Sequence, residues 1–282
     1  MPEPALDLLT EARRLDPDRS LALAFAEPGD RPLLSSLVLF NAELARIPEL
    51  VNEPMAGMIR YQWWHDAVSD AADATAGDRS ALGQHPVLPA LAAGLADGQL
   101  DRGMLVALIE AREAELDRLQ PADLGTLEAY TKATSGRLHQ VLARACDGDE
   151  QTLALAEQAG IGFALVGLVR ALRFHAAQGR LLLPADLVGD AAVTPEAILA
   201  AGNAEALARA AGAVLERAQE HLEAVRRAGR LPRRVLPALL PAVLARRHAR
   251  RLAAVGPLGD TAESRDGWAV PALLWHWLRR RL

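Results

Sequence analysis

Gly160-Ile161-Gly162-Phe163-Ala164-Leu165 opens a run that continues through Gly167 to Arg170, and after a short gap the chain reads Gly179-Arg180-Leu181-Leu182-Leu183-Pro184. The surrounding segment, Thr152 to Phe174, is the most apolar in the chain. It is too long for a strand and reads as a helix. Three glycines inside a helix need a reason, because each loses about 1 kcal/mol relative to alanine. Small residues kept there point to close helix packing or to the wall of a cavity. No stretch reaches the roughly 18 uncharged apolar residues of a membrane-spanning helix.

Outward from this segment the periodicity stays helical. Leu33, Leu37, Phe40, Leu44 and Ile47 fall at helical spacing, and Pro48 and Pro54 are expected to bracket a break. Ala56 to about Ala72 is a second helix, carrying Met58, Ile59, Trp63 and Val68. Ser80-Ala81-Leu82-Gly83 and Pro86 mark a loop before a short helix, Val87 to Leu95. Arg102 to Leu119 is amphipathic and stops at Pro121, and Leu124 to Ala145 follows. Thr194-Pro195-Glu196 reads as an N-cap, a first-turn proline and an acidic first turn. Ala204 to Arg227, Ala238 to Ala254 and Ser264 to Arg281 complete the set. Without strand patterns, repeats or linkers, the expectation is all-α: one helical domain over residues 1–282.

Composition agrees. Of 282 residues 51% are apolar, enough for a sizeable core, and Ala and Leu, both good helix formers, dominate. Cys146 is the only cysteine, which excludes a disulfide framework and a cysteine-based zinc site; it reads as a small residue near a helix end. Met1-Pro2-Glu3-Pro4 has no basic or apolar run, so no secretory signal is expected. The net charge of −5 hides an asymmetry. From Arg226 to the end, 13 Arg face Asp260, Glu263 and Asp266, a balance of +10, and the remainder carries −15. A basic C-terminal part from about residue 226 either packs against acidic helices or meets an acidic partner such as an anionic membrane.

Four stretches, in order, resemble the squalene/phytoene synthase family. They are Ser20 to Phe25 with Arg31; Glu115-Leu116; Tyr130 with Ser135-Gly136; and the Gly160 to Pro184 region, which is similar to a glycine-rich helix, an arginine and a Gly-Arg-x-Tyr-Leu-Pro element. The resemblance spans roughly residues 18 to 250 and implies an isoprenoid-synthase bundle of helices around a central cavity. Members of the family join prenyl diphosphates head to head. They use two D-x-x-x-D motifs whose i,i+4 carboxylates share a helix face and hold magnesium. Carried onto this chain, those positions fall at about Ala45 and Glu49 and at Ala171 and His175, with Gly167, Ala164 and Leu182 at three further motif positions. Alanine offers no ligand, so no magnesium and no other cofactor is expected. The segments Phe40 to Ile47 and Ile59 to Ala67 are similar to the aspartate-poor branch that includes the NADH dehydrogenase complex I assembly factor. That likeness implies a helper role with complex I subunits or assembly intermediates, in the cytoplasm or peripherally at the inner membrane.

Arg46, Arg170, Arg173 and His175 project, on this resemblance, from the two helices that would carry the metal sites, with Tyr130 as the family tyrosine. They make either a pocket for an anionic ligand such as a prenyl diphosphate or a structural ion pair, for example of Glu43 or Glu49 with Arg170 or Arg173. Asp66 and Asp70 also read D-x-x-x-D but lie outside the family positions, and a solvated helix face explains them. Trp268, Trp275 and Trp277 beside Arg279-Arg280-Arg281 suit either a membrane interface or the core, with Trp275 expected in the core. Seven scattered histidines show no zinc spacing, and no phosphate loop, nucleophile elbow or nucleic-acid motif appears. Three functions follow: a non-catalytic assembly protein for complex I, a head-to-head prenyltransferase recruiting other ligands, and a metal-independent prenyl-lipid binder.

Overall fold

Alanine- and leucine-rich sequence winds into helix throughout the computed structural model, which describes residues 8–74, 85–189, 193–200, 202–259 and 267–282 and holds no strand among them. In chain order the helices are α1 Leu8–Leu15, α2 Pro17–Leu23, α3 Arg31–Leu50, α4 Pro54–Asp73, α5 Leu88–Ala96 and α6 Arg102–Glu113, which tightens into a 3-10 turn at Ala114–Asp117. Next come α7 Leu124–Thr131, a π turn at Lys132–Gly136, α8 Arg137–Ala145, α9 Glu150–Arg170, α10 Leu172–Ala177, α11 Ala185–Val188 and α12 Pro195–Leu199. The last four are α13 Ala204–Arg226, α14 Leu236–Leu239, α15 Pro241–Val255 and α16 Ala269–Arg279. Side-chain caps start several of them: the Arg19 N–H donates to Asp16 at 3.1 Å, the Met104 N–H to Asp101 at 3.0 Å and the Ala197 N–H to Thr194 at 3.2 Å.

The helices form two compact units. The first comprises Met1–Asp117, Arg137–Ala154 and Pro232–Ala238. Its centre is α3, buried almost all round from Leu33 to Ala42, with α1, α2, α5, α6 and α8 packed on it. An all-round apolar helix has to be covered on every side. Helix α4 packs on α5 and α6 with Gly57, Tyr61, Trp64, Val68 and Ala71, one helical stripe. Gly57 lets it approach the 3-10 turn, where an added Cβ would fall 2.4 Å from Leu116 Cδ2. Arg234 fastens the 232–238 segment by a two-pronged bond to Asp30 at 2.9 Å and a contact with Asp147.

The second unit comprises Arg118–Gly136, Leu155–Leu231 and Leu239–Leu282. Helix α13 buries Leu207, Ala211, Val214, Ala218, Leu222 and Val225 at helical spacing and packs on α11 and α15. Two of the α9 glycines are contact points. A Cβ on Gly160 would meet Ser135 O at 2.4 Å, and one on Gly162 would meet Leu222 Cγ at 2.7 Å. Among the described residues α9 alone is long and apolar enough to cross a membrane (mean hydropathy 1.6), yet half of that stretch is buried in the fold, as in a core helix.

Several expectations change. The break bracketed by Pro48 and Pro54 falls at 51–53, and α3 runs past Pro48, which sits in its last turn, to Leu50. A proline there leaves the carbonyl four residues back without its backbone donor, and the Tyr61 hydroxyl donates to that Leu44 carbonyl at 3.2 Å. Three stretches read as single helices are each interrupted: at Glu113, at the π turn, and at Ala171, whose ψ of 12° is not helical. Helices α1 and α2 were not anticipated. Trp275 is not core but 57% exposed, because it lies about 200° round the helix from Leu273, which is the buried residue of α16. The loop at Ser80–Gly83 and the helix start at Ser264 lie outside the described residues.

Candidate functional site

The first motif region lies on the C-terminal half of α3. Ala45 and Arg46 are half-buried and Glu49 is exposed. Arg46 lines a cleft of about 400 Å³ in the first unit, together with Glu11, Glu43, Arg60, Trp63 and His85. One wall is a ring stack: Trp64 meets His85 edge-on at 4.9 Å and Phe40 at 5.0 Å, while Trp63 lies 5.5 Å from the same imidazole. His85 Nε2 pairs with Glu43 at 3.0 Å, so Glu43 is held within its own unit. Hydrogen bonding from Arg14 holds the Glu11 carboxyl below the usual range, with a smaller pull from Arg46. The cleft thus sets two arginines and two carboxylates, each carboxylate already engaged, against an indole wall. Arg46 was singled out from the sequence and Arg60 and His85 were not; the Trp63-Trp64 pair one helix on was the available signal for this cleft.

The second motif region is the α9–α10 joint in the second unit. The Ala171 N–H donates to Gly167 O and the His175 N–H to Ala171 O, both at 2.9 Å, so positions 171 and 175 keep nearly one face across the break. Arg170 and His175 are half-buried and Arg173 is exposed. Helix α10 then ends in a Schellman cap: the Gly179 N–H donates to Ala176 O and the Arg180 N–H to His175 O, both at 2.9 Å. Gly179 has φ of +69°, the left-handed region that favours glycine, and the turn delivers Arg180 to a buried position. That is the structural reason for the Gly-Arg pair. Tyr130, half-buried on α7, directs its carbonyl to the Thr134 hydroxyl at 2.8 Å. Of the five residues singled out, Arg46 belongs to the first unit and Tyr130, Arg170, Arg173 and His175 to the second.

The other family-like stretches hold buried polar networks. Arg19, beside Ser20, donates through Nε to His139 Nε2 at 3.0 Å and pairs with Asp16 at 2.6 Å. Burial, then the Arg19 charge, pushes the His139 imidazole well below its ordinary value, so it stays neutral. Glu115 is buried against Arg112 at 2.5 Å, and Arg112 also donates to the Asn41 side chain at 3.3 Å. The Ser135 hydroxyl donates to Gly160 O at 2.8 Å. Cys146 follows α8 directly, and burial pushes its thiol up to about 12, with Asp30 adding to the shift.

These residues do not fit a magnesium-diphosphate centre. Magnesium takes hard oxygen ligands, and at the four motif positions there are two methyl groups, one exposed carboxylate and an imidazole. Asp66 and Asp70 are both exposed, with Gln62 donating to Asp66 at 2.9 Å. Among the described residues no three His, Cys, Asp or Glu side chains converge as metal ligands would.

The squalene/phytoene synthase family matches residues 12–267, and the chain belongs to that family. Within it, the chain is similar to NADH dehydrogenase (ubiquinone) complex I, assembly factor 6. It is 26% identical over 211 residues to the protein from Rattus norvegicus and to that from Mus musculus, in each instance covering 74% of this chain and 62% of the relative. The match therefore spans about three fifths of these relatives' length. The fold is that of solved squalene synthases. The squalene synthase HpnC from Alicyclobacillus acidocaldarius superposes with a TM-score of 0.71 at 16% identity, over 88% of this chain and 93% of that one. A dehydrosqualene synthase in complex with ligand superposes with 0.73 at 13% identity, over 96% and 94%.

Proposed function

We propose that this chain is a non-catalytic member of its family that acts in the assembly of respiratory complex I, binding complex I subunits or assembly intermediates. In this reading it works in the cytoplasm, peripherally at the membrane where the complex is built. The observation that carries it is that Ala45 and Ala171, which stand about where the family resemblance places metal-binding carboxylates, have side chains that offer no ligand. The likeness to relatives named as complex I assembly factors supports the direction of the proposal. Deleting the gene in the organism that encodes it, and quantifying assembled complex I on native gels, tests it. The expected result is loss of the full complex with accumulation of smaller intermediates, restored by the intact gene. Unchanged complex I in the deletion would contradict the proposal.

A second reading rests on the cleft at Arg46, where two arginines beside an indole wall suit an anionic amphiphile such as a prenyl lipid. It predicts binding of farnesyl diphosphate that is indifferent to magnesium and is lost in Arg46→Glu.

A further inference from the structure

Helix α16 is apolar on its outer side as well as its inner one. Its inner side is fixed. Leu273 is fully buried, and the end of the helix is tied back by the Leu231 N–H donating to Arg280 O at 2.9 Å and Arg280 Nε donating to Leu231 O at 2.8 Å. The helix is thereby held against rolling inward. At 100° per residue, Val270, Pro271, Leu274, Trp275 and Leu278 occupy one arc of about 140°. The large ones are exposed: Val270 51%, Leu274 43%, Trp275 57% and Leu278 53%. An amphipathic helix at a protein surface ordinarily turns its polar face outward, and here the ordered outer face is the apolar one.

The charge on α16 itself and on α15 has one sign. No Asp or Glu occurs between Gly267 and Leu282, or in α15, which packs beside α16. The arc is edged at its C-terminal end by the exposed Arg279 and Arg281, and Arg279 lies 4.8 Å over the Trp275 ring. Arg230, also exposed, adjoins Leu231 where the helix end is tied. The cationic field is felt locally: burial lowers the His276 imidazole, and Arg246 and Arg279 push it further down.

We propose that the outer face of α16 is a membrane-docking surface for anionic lipid. The helix lies in the plane of the bilayer with Val270, Leu274 and Leu278 at the acyl boundary, Trp275 at the headgroup level, and Arg279 and Arg281 on lipid phosphates. Aliphatic and indole side chains edged at one end by arginine suit an interfacial helix. A cationic C-terminal rim is complementary to an anionic surface and not to a neutral one. The proposal does not depend on the complex I reading and stands if that reading fails.

Flotation of the purified full chain with vesicles tests it, comparing equimolar phosphatidylglycerol and phosphatidylcholine with phosphatidylcholine alone. The intact chain is expected to float with the anionic vesicles. The Leu274→Ser/Leu278→Ser variant, altered only at exposed positions, should lose this binding at least tenfold while keeping its circular dichroism spectrum. Arg279→Gln/Arg281→Gln should lose roughly thirtyfold, the change that corresponds to about 1 kcal/mol per surface cation. Failure of the intact chain to float with anionic vesicles would overturn the proposal, as would serine variants that bind unchanged. A chain that self-associates through α16, shown by a dimer that only the serine variant dissolves without any vesicle binding, would also overturn it.

Discussion

Replacing Gly160 with alanine should destabilise the protein, although alanine is the better helix former. In an open helix the change would stabilise by about 1 kcal/mol. At Gly160 the new methyl would lie 2.4 Å from Ser135 O and 2.8 Å from Gly136 Cα, backbone atoms of the π turn that cannot swing aside. Separating the two segments costs about 1–3 kcal/mol in overpacking. It also weakens the bond from the Ser135 hydroxyl to Gly160 O, now 2.8 Å and worth about 1 kcal/mol. Overpacking and the lost bond outweigh the propensity gain, leaving a net loss of about 1–3 kcal/mol. Two neighbours on α9 calibrate the argument. At Gly162 the methyl meets the Leu222 side chain at 2.7 Å, which can shift in part, so Gly162→Ala should lie between the extremes. At Gly167 nothing falls within 4 Å, so Gly167→Ala should stabilise by up to about 1 kcal/mol. Urea unfolding followed by far-ultraviolet circular dichroism would rank the three midpoints. A Gly160→Ala midpoint at or above that of Gly167→Ala would refute the close approach.

Two further outcomes follow from the buried polar contacts. Tyr61→Phe should cost about 1–2 kcal/mol, because the buried Leu44 carbonyl loses its hydroxyl donor; the same change made on Pro48→Ala, which restores a backbone N–H for that carbonyl, should cost clearly less in urea unfolding, and equal costs would dismiss the pairing. His139 is neutral in the fold, whereas in the unfolded chain it takes a proton near pH 6.5, so its contribution to stability is complete above about pH 6.5 and falls away as the solution becomes more acidic. His139→Gln should flatten the pH dependence of the unfolding midpoint below about pH 6.5, and an unchanged slope would remove the buried imidazole as its source.

Much of the fold was legible because its signals are local. Thr194-Pro195 announced a capped helix start, and the cap forms as read. The apolar spacing of Leu33 to Ile47 defined the helix at the centre of the first unit. What escaped depends on partners distant in sequence. The run of α3 past Pro48 to Leu50 was not legible, because the donor to the Leu44 carbonyl comes from Tyr61, 13 residues beyond the proline. Helix α1 is short and charged, LLTEARRL, and is helical because it packs on α3. Trp275 was expected inside because tryptophan usually is, but its direction is set by Leu273 and by the tie between Leu231 and Arg280. Among candidate site residues, that Ala45 and Ala171 offer no metal ligand was plain from residue type. The Arg46 cleft was not, because Glu11, Arg60 and His85 come to it from three other segments. The networks at Arg19 and Glu115 were invisible for the same reason: His139 is 120 residues from Arg19, and Asn41 is 71 from Arg112.

Central to the proposed function is that the chain carries out no magnesium-dependent prenyl transfer. Incubating the purified chain with farnesyl diphosphate, magnesium and a nicotinamide reductant, with the Alicyclobacillus acidocaldarius squalene synthase as positive control, and extracting the hydrocarbon products tests it most directly. The account predicts no squalene-class product above a heat-inactivated sample. A product that forms with magnesium and disappears with a chelator would contradict it.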